Sequence, residues 1–173
     1  MTTRQTATTV DLDFDVVDLI AESRKEIHEQ EGNHRPAYTT DSMTAERVGV
    51  AAEAAVALRY GLPAPGASRV GGDDGYDYRL DVDGETLEVE IKGSKYDDPS
   101  LMISDEYRGD ADAYLLASVS LGDDVVLCGW LRDDQLEERG RREASKFGDM
   151  MTVVDGDQLD PIPDPADVSP ADD

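Results

Sequence analysis

The stretch YDYRLDVDGETLEVEIK, residues 76–92, contains the clearest structural signal in the chain. Apolar and polar residues alternate on both sides of Asp83-Gly84, a dipeptide that favours the two-residue turn of a β-hairpin. Counting outward from this turn gives the cross-strand pairs Val82–Glu85, Asp81–Thr86, Leu80–Leu87, Arg79–Glu88, Tyr78–Val89 and Asp77–Glu90. The sequence therefore predicts an antiparallel hairpin with a defined register.

The same alternation divides the hairpin into two faces. The predicted core face carries Tyr78, Leu80, Leu87, Val89 and Ile91. The opposite face carries Asp77, Arg79, Glu88, Glu90 and Lys92. Asp77 and Glu90 become cross-strand neighbours there, and like charges in this position destabilise a strand pair. A divalent cation would remove the repulsion, since Mg²⁺ is typically held by one or two carboxylates together with water and substrate phosphate.

The composition predicts one folded domain with a strongly acidic surface. The 173 residues include 40 acidic and 16 basic side chains, for a formal charge of −24, yet 39% of the residues are hydrophobic and regularly spaced. The lysines are few: Lys25, Lys92, Lys95 and Lys146. This composition resembles that of salt-in halophiles and predicts an origin in a haloarchaeon or a haloarchaeal virus. Acidity does not exclude DNA as a partner there, because the Debye length falls to roughly 3 Å at about 1 M salt.

Two helices are predicted ahead of the hairpin. The first, an accessory helix closed by Gly32, has apolar residues at helical spacing: Phe14, Val17, Ile20, Ala21 and Ile27. The second is rich in alanine, with Ser42 or Thr44 as N-cap and Gly61 followed by Pro63 as its end.

Further elements follow the hairpin. Residues 110–120 and 124–131 are predicted as two buried strands joined by the turn LGDD, residues 132–147 as a charged helix, and residues 150–154 as a short strand. This order predicts an α/β or α+β fold with a central mixed sheet of four to five strands flanked by helices. The predicted organisation is a disordered N-terminus, a single domain made of an accessory helix and a core, and a disordered acidic tail: 1–11, 12–160 (12–32 and 42–160) and 161–173.

Other features narrow the function. Cys128 is the single cysteine and lies in an apolar run, which predicts a buried, inert thiol and excludes a disulfide framework or a zinc cluster of cysteines. The chain does not start like a signal peptide, and no apolar run approaches the roughly 20 residues needed to cross a bilayer. We therefore expect a cytoplasmic protein that does not bind membranes.

The hairpin resembles the PD-(D/E)XK nuclease superfamily, also called restriction-endonuclease-like. The signature of that family is an acid on one strand followed, on the next, by an acid, any residue and a lysine. Asp77 and the tripeptide EIK, residues 90–92, match it, although Tyr76 stands where many members have proline. Members commonly carry a further Glu on a helix before the hairpin, and Glu53 matches this position. The resemblance covers about residues 45–136.

The resemblance implies a restriction-endonuclease-like core and a metal-dependent nuclease that hydrolyses phosphodiester bonds, most plausibly in DNA. Asp77 and Glu90 would hold Mg²⁺ or Mn²⁺, with the backbone carbonyl of Ile91 as a further ligand. Lys92 would orient the attacking water or stabilise charge on the phosphate, and Glu53 would order a metal-bound water or a second cation. A homodimer that cuts both strands is compatible with this function.

Three alternatives stay open. Glu46, seven residues before Glu53, lies on nearly the same helical face and is a second candidate for the helix acid. The nuclease-like fold could instead serve as an inactive module for nucleic-acid binding or assembly, or the polar hairpin face could belong to a structural protein that contacts a partner. For a nuclease we expect several basic residues to flank the cleft, from the set Arg59, Arg69, Arg79, Lys95 and Arg108.

Overall fold

The computed structural model describes residues 7–31, 42–66, 75–120 and 124–171. Its helices and strands, in chain order, are β1 (Thr8–Val10), α1 (Phe14–Glu31), α2 (Ser42–Tyr60), β2 (Tyr78–Val82), β3 (Glu85–Ser94), β4 (Ser100–Ser104), β5 (Ala113–Val119), β6 (Val125–Arg132), α3 (Leu136–Arg139), β7 (Arg141–Ala144), β8 (Met150–Asp155) and β9 (Val168–Pro170). They form a mixed α+β structure with a six-stranded sheet in the order β1-β6-β5-β3-β2-β9 and a three-stranded sheet in the order β4-β8-β7. Strands β3 and β5 run parallel and the other strand pairs run antiparallel.

The central hairpin has the predicted register at five of the six predicted pairs, and the sixth, Asp77–Glu90, is not part of the strand ladder. Strands β2 and β3 pair from Val82–Glu85 to Tyr78–Val89. The turn residues Asp83 and Gly84 have φ angles of 52° and 81°, as a primed hairpin turn requires. The predicted core face is buried at Leu80, Leu87, Val89 and Ile91 and partly buried at Tyr78.

Helix α2 covers this core face of the large sheet. It begins at Ser42, and Gly61, directly after its last residue, has the positive φ of a helix-ending glycine, 64°. The helix lies close to β3 at Gly93, where an added Cβ would come within 2.8 Å of the Val48 carbonyl oxygen. Its small residues are fully buried against the sheet: Ala51, Ala52 and Ala55.

Helix α1 packs beside α2, as predicted for an accessory helix. Val17 and Ala21 are buried in the same core. Ion pairs between the helices include Asp18 with Arg47 and Arg24 with Glu53. The partners are six residues apart on both helices and in the same order, so the helices run parallel. The predicted end of α1 at Gly32 lies outside the described residues.

The second sheet covers the other face of the large sheet. A second hydrophobic cluster fills the space between the two sheets, and its buried members are Leu101, Ile103, Ala111, Tyr114, Leu116, Leu131, Leu136, Val154 and Leu159. The strands β2, β3, β5 and β6 therefore lie between a helical layer and a β layer.

The described parts of both termini form strands where the sequence predicts disorder. Within residues 1–11, β1 pairs with β6, and within the tail 161–173, β9 pairs with β2. Each short segment forms hydrogen bonds with backbone groups at an edge of the large sheet that would otherwise be unpaired. Composition alone does not reveal this stabilisation. The large sheet consequently has six strands instead of the predicted four to five.

The prediction of a helix over residues 132–147 is largely wrong. One helical turn, α3, forms at Leu136–Arg139, and residues 141–144 become β7 along β8. The charged residues favour a helix locally, but strand pairing overrides that preference. The predicted strand at residues 150–154 is present as β8, whereas β4 has no counterpart in the sequence prediction. Residues 121–123 of the predicted LGDD turn lie outside the described residues.

Candidate active site at the open end of the hairpin

Asp77 lies immediately before β2 and reaches β3 through its side chain. Its Oδ2 accepts a hydrogen bond of 2.6 Å from the Ile91 N–H, and its own N–H donates to the Val89 carbonyl oxygen at 2.9 Å. The regular ladder ends at the pair Tyr78–Val89, so Asp77 is not a ladder partner of Glu90. Instead, its carboxylate is held against the peptide group that joins Glu90 to Ile91.

Glu90 and Lys92 lie two residues apart on β3 and point to the same face. The Lys92 ammonium donates a hydrogen bond to the Glu90 carboxylate. The side chain of Lys92 is 34% exposed and that of Glu90 is 20% exposed. The parallel register places Tyr114 of β5 beside Glu90 and Leu116 beside Lys92. Because both of these neighbours are buried between the sheets, the ion pair lies at the accessible margin of that space.

Tyr114, the neighbour of Glu90 in the register of β3 and β5, makes a polar contact directly after β6. Its hydroxyl donates to Asp133 Oδ1 at 2.9 Å, and the Gly109 N–H donates to the same oxygen at 3.2 Å. Burial raises the pKa of Tyr114 above its ordinary value, and the bond to Asp133 and the charges of Asp133 and Glu90 raise it further. Tyr114 is therefore a neutral hydrogen-bond donor beside the acid.

Glu53, the predicted helix acid, is fully engaged by an arginine from α1. Arg24 donates to its two carboxylate oxygens at 2.8 and 2.7 Å, and the Arg24 Nε donates to the Gly66 carbonyl at 3.0 Å. The hydrogen bond to Glu53 is the main cause of the raised pKa of Arg24, and the charges of Glu53, Asp77 and Glu46 add to it. Glu53 thus contacts the guanidinium directly, whereas Asp77 acts on it through its charge.

Arg24 is the residue of this site that the sequence interpretation missed. It follows Val17 and Ala21 at the spacing that defines the buried face of α1. A charged residue in that position needs a partner, since an unpaired buried charge is costly. The signal was therefore present, but the chain contains many carboxylates and only the tertiary contact selects Glu53.

The arrangement fits a two-carboxylate metal site better than a three-carboxylate one. Within residues 7–31, 42–66, 75–120 and 124–171, no three His, Cys, Asp or Glu side chains form a group that could hold a metal ion. Asp77, Glu90 and Glu53 are therefore not assembled as one ligand set. Mg²⁺ commonly uses one or two carboxylates and completes its shell with water and phosphate. Asp77 and Glu90 are two such carboxylates on adjoining segments of the hairpin.

The members of the predicted basic rim lie in different parts of the fold. Arg79 Nε lies 4.0 Å from Glu88 on the hairpin, and Lys95, directly after β3, lies over the ring of Tyr96. Arg108 pairs with Glu137. Arg59 lies in the last turn of α2, and Arg69 lies outside the described residues. Arg79 and Lys95 are therefore the rim candidates that lie on the hairpin strands or directly after them.

Two further expectations concern the single cysteine and the helices. Cys128 is partly buried on β6, and burial raises the pKa of its thiol, which disfavours the reactive thiolate. In the part of the chain that is described, no helix is both long and apolar enough to cross a bilayer.

Comparison with protein-family models, with curated proteins and with solved structures gave no match to this chain. The resemblance to the nuclease superfamily therefore rests on sequence motifs alone.

Proposed function

We propose that the open end of the β2–β3 hairpin is the active centre of a divalent-metal-dependent nuclease that acts on DNA. The observation that carries this proposal is the contact between the Asp77 carboxylate and the Ile91 N–H. It holds one acid against the strand segment that presents a second acid, Glu90, and a lysine, Lys92, on one accessible face. In the nuclease superfamily that the hairpin resembles, an acid, a second acid and a lysine of this kind serve metal-assisted phosphodiester hydrolysis.

Asp77 and Glu90 are the residues that would hold Mg²⁺ or Mn²⁺. The Ile91 carbonyl is a further candidate ligand, because the N–H and C=O of one strand residue point to the same side and the N–H faces Asp77. When bound, the metal would supply a Lewis acid that polarises the phosphate and lowers the pKa of a water molecule. Asp77, Glu90 and the Ile91 carbonyl would fix the position of the metal relative to the substrate.

Lys92 would act on the reacting phosphate. Its ammonium is paired with Glu90 in this structure, and metal binding by Glu90 would release it. A compact ammonium at the strand edge is suited to orient a water molecule or to stabilise negative charge that develops on the phosphate oxygens. The Glu90–Lys92 pair is thus interpreted as the resting arrangement of both groups.

The direct test compares Asp77→Asn with a matched change on the same strand, Asp81→Asn. The Asp81 carboxylate accepts a hydrogen bond from the Thr86 hydroxyl and lies toward the turn, away from Lys92. Linear, circular, nicked and branched DNA are incubated at high salt with Mg²⁺, with Mn²⁺ or with a chelator. We expect metal-dependent cleavage by the parent and by Asp81→Asn, and its loss in Asp77→Asn. Equal cleavage by both variants, or no cleavage by the parent under any of these conditions, contradicts the proposal.

A second candidate function is a nucleic-acid-binding module without catalysis. It is favoured by the engagement of Glu90 with Lys92 and of Glu53 with Arg24, which leaves both acids paired. Metal-independent DNA binding by a parent protein that cuts nothing would support this second function.

A further inference from the structure

The Arg24–Glu53 pair differs from the second ion pair that joins α1 and α2. Both are bidentate contacts between an arginine and a carboxylate. The side chains of Arg24 and Glu53 are 17% and 12% exposed, whereas those of Arg47 and Asp18 are 29% and 39% exposed. Charge interactions are stronger where water is excluded, so the Arg24 pair acts in the less screened environment.

The surroundings of Arg24 connect this pair to the proposed metal site. Its Nε and both terminal nitrogens have acceptors, namely the Gly66 carbonyl and the two oxygens of Glu53. After Glu53, the charges of Asp77 and then Glu46 act on the guanidinium. By the same Coulomb interaction, the charge of Arg24 acts on any cation that Asp77 binds.

We propose that Arg24 is a fixed internal cation that keeps Glu53 out of metal coordination and limits the site to one divalent ion at Asp77 and Glu90. This inference rests on the proposed function, because it requires a metal at Asp77. It replaces the expectation that Glu53 orders a second cation. Arg24 is a positioning residue in this scheme, since it acts through Glu53 and through its charge.

The proposal predicts opposite effects for the two halves of one ion pair. Arg24→Gln removes a positive charge and frees the Glu53 carboxylate, so divalent ions should bind more tightly or in greater number. Glu53→Gln leaves the charge of Arg24 without its main partner beside Asp77, so divalent ions should bind more weakly. A pair that served only to join the helices would give both variants a loss of stability and metal affinities that change in the same direction.

The experiment titrates Mn²⁺ into the full chain and follows free Mn²⁺ by electron paramagnetic resonance. It uses the lowest salt concentration at which circular dichroism shows a folded protein. Comparison with Asp77→Asn separates the Mn²⁺ bound at the proposed site from the Mn²⁺ bound elsewhere on the acidic surface. We expect Arg24→Gln to tighten site binding about fivefold or to add a second ion, and Glu53→Gln to weaken it by a similar factor, as partly screened charges at this range predict. The double variant Arg24→Gln/Glu53→Gln should bind one ion with an affinity near that of the parent.

Arg47→Gln and Asp18→Asn are the matched controls, because they break the other ion pair between the same helices. Both should leave Mn²⁺ affinity unchanged. If Arg24→Gln does not fold, Glu53→Gln decides the question: weaker Mn²⁺ binding supports the proposal and unchanged binding overturns it.

The outcomes separate this inference from the proposed function. Equal Mn²⁺ binding by the parent and Asp77→Asn would remove the metal site itself and with it the nuclease proposal. A site that depends on Asp77, but whose affinity is unchanged in Arg24→Gln and Glu53→Gln or changes in the same direction in both, would overturn the role of Arg24 alone.

Discussion

The two ends of the β2–β3 hairpin are stabilised in different ways. At the turn end, backbone conformation and apolar burial dominate: Asp83 and Gly84 have positive φ, and Val82 pairs with Val168 of β9. At the open end, specific polar contacts replace the ladder, because Asp77 contacts β3 through its side chain and its backbone N–H. Changes at the turn should therefore affect stability, whereas changes to the polar side chains at the open end should affect chemistry.

The largest effect is expected from Lys92→Ala at the open end. Loss of a group that acts on the transition state should lower DNA cleavage by about 10²-fold or more, with a small change in melting temperature because the side chain is partly exposed. Cleavage rates in Mn²⁺ and thermal unfolding measure the two quantities. Lys146→Ala is the control, because this lysine lies over the ring of Phe147 between β7 and β8 and is not part of the predicted basic rim, and it should cut DNA like the parent. Comparable rates in both variants would show that Lys92 has no catalytic role.

Gly93→Ala tests whether the open end depends on close packing against α2. An added Cβ would lie 2.8 Å from the Val48 carbonyl oxygen and 2.9 Å from its Cγ1. The backbone of α2 cannot move away without cost, so we expect a loss of about 1–3 kcal/mol in the free energy of unfolding. Denaturant titration measures this loss.

Gly49→Ala on α2 is the control for Gly93→Ala. Nothing lies within 4 Å of its added Cβ. It should stabilise the helix by roughly 0.5–1 kcal/mol. A neutral Gly93→Ala variant would mean that α2 does not restrain β3 at this point.

Gly84→Ala probes the turn end. The residue has φ of 81° and no atom within 4 Å of an added Cβ, so the cost comes from the backbone alone. We expect a loss of roughly 1–2 kcal/mol in unfolding free energy, while DNA cleavage by the folded protein stays at the parental rate. Gly84→Asn should lose less, since Asn tolerates positive φ better. If folded Gly84→Ala lost cleavage activity, the turn end would influence catalysis at the open end, contrary to this prediction.

The smallest effect is expected from Arg132→Gln, near the turn. The Arg132 guanidinium donates to Glu85 at 2.6 Å and lowers the pKa of that carboxyl group, chiefly through this hydrogen bond. Because its pKa is lower in the folded state, Glu85 stabilises the fold at pH values above its unfolded-state pKa. This stabilisation is lost as the pH falls through the folded-state pKa. Arg132→Gln should raise the pKa of Glu85 toward its ordinary value of 4.5. Carbon-detected NMR titration measures the pKa, and an unchanged value would exclude the pair in solution.

The sequence by itself determined the hairpin register, because the Asp83-Gly84 turn and a period of two act between neighbours along the chain. It likewise determined α1, α2 and the strands β5 and β6, whose periodicity and end signals are local. The hairpin pattern also predicts Asp77, Glu90 and Lys92 as one candidate group, but not the actual contact of Asp77, which accepts a hydrogen bond from the Ile91 N–H and is not a ladder partner of Glu90.

The tertiary structure alone decided which distant segments meet. Strands β1 and β9 form because edges of the large sheet accept them, and β7 forms because β8 lies beside it. Arg24 pairs with Glu53, 29 residues away, although many other carboxylates were available. Hydrogen bonds and ion pairs of this kind depend on distances in space, which neither composition nor periodicity contains.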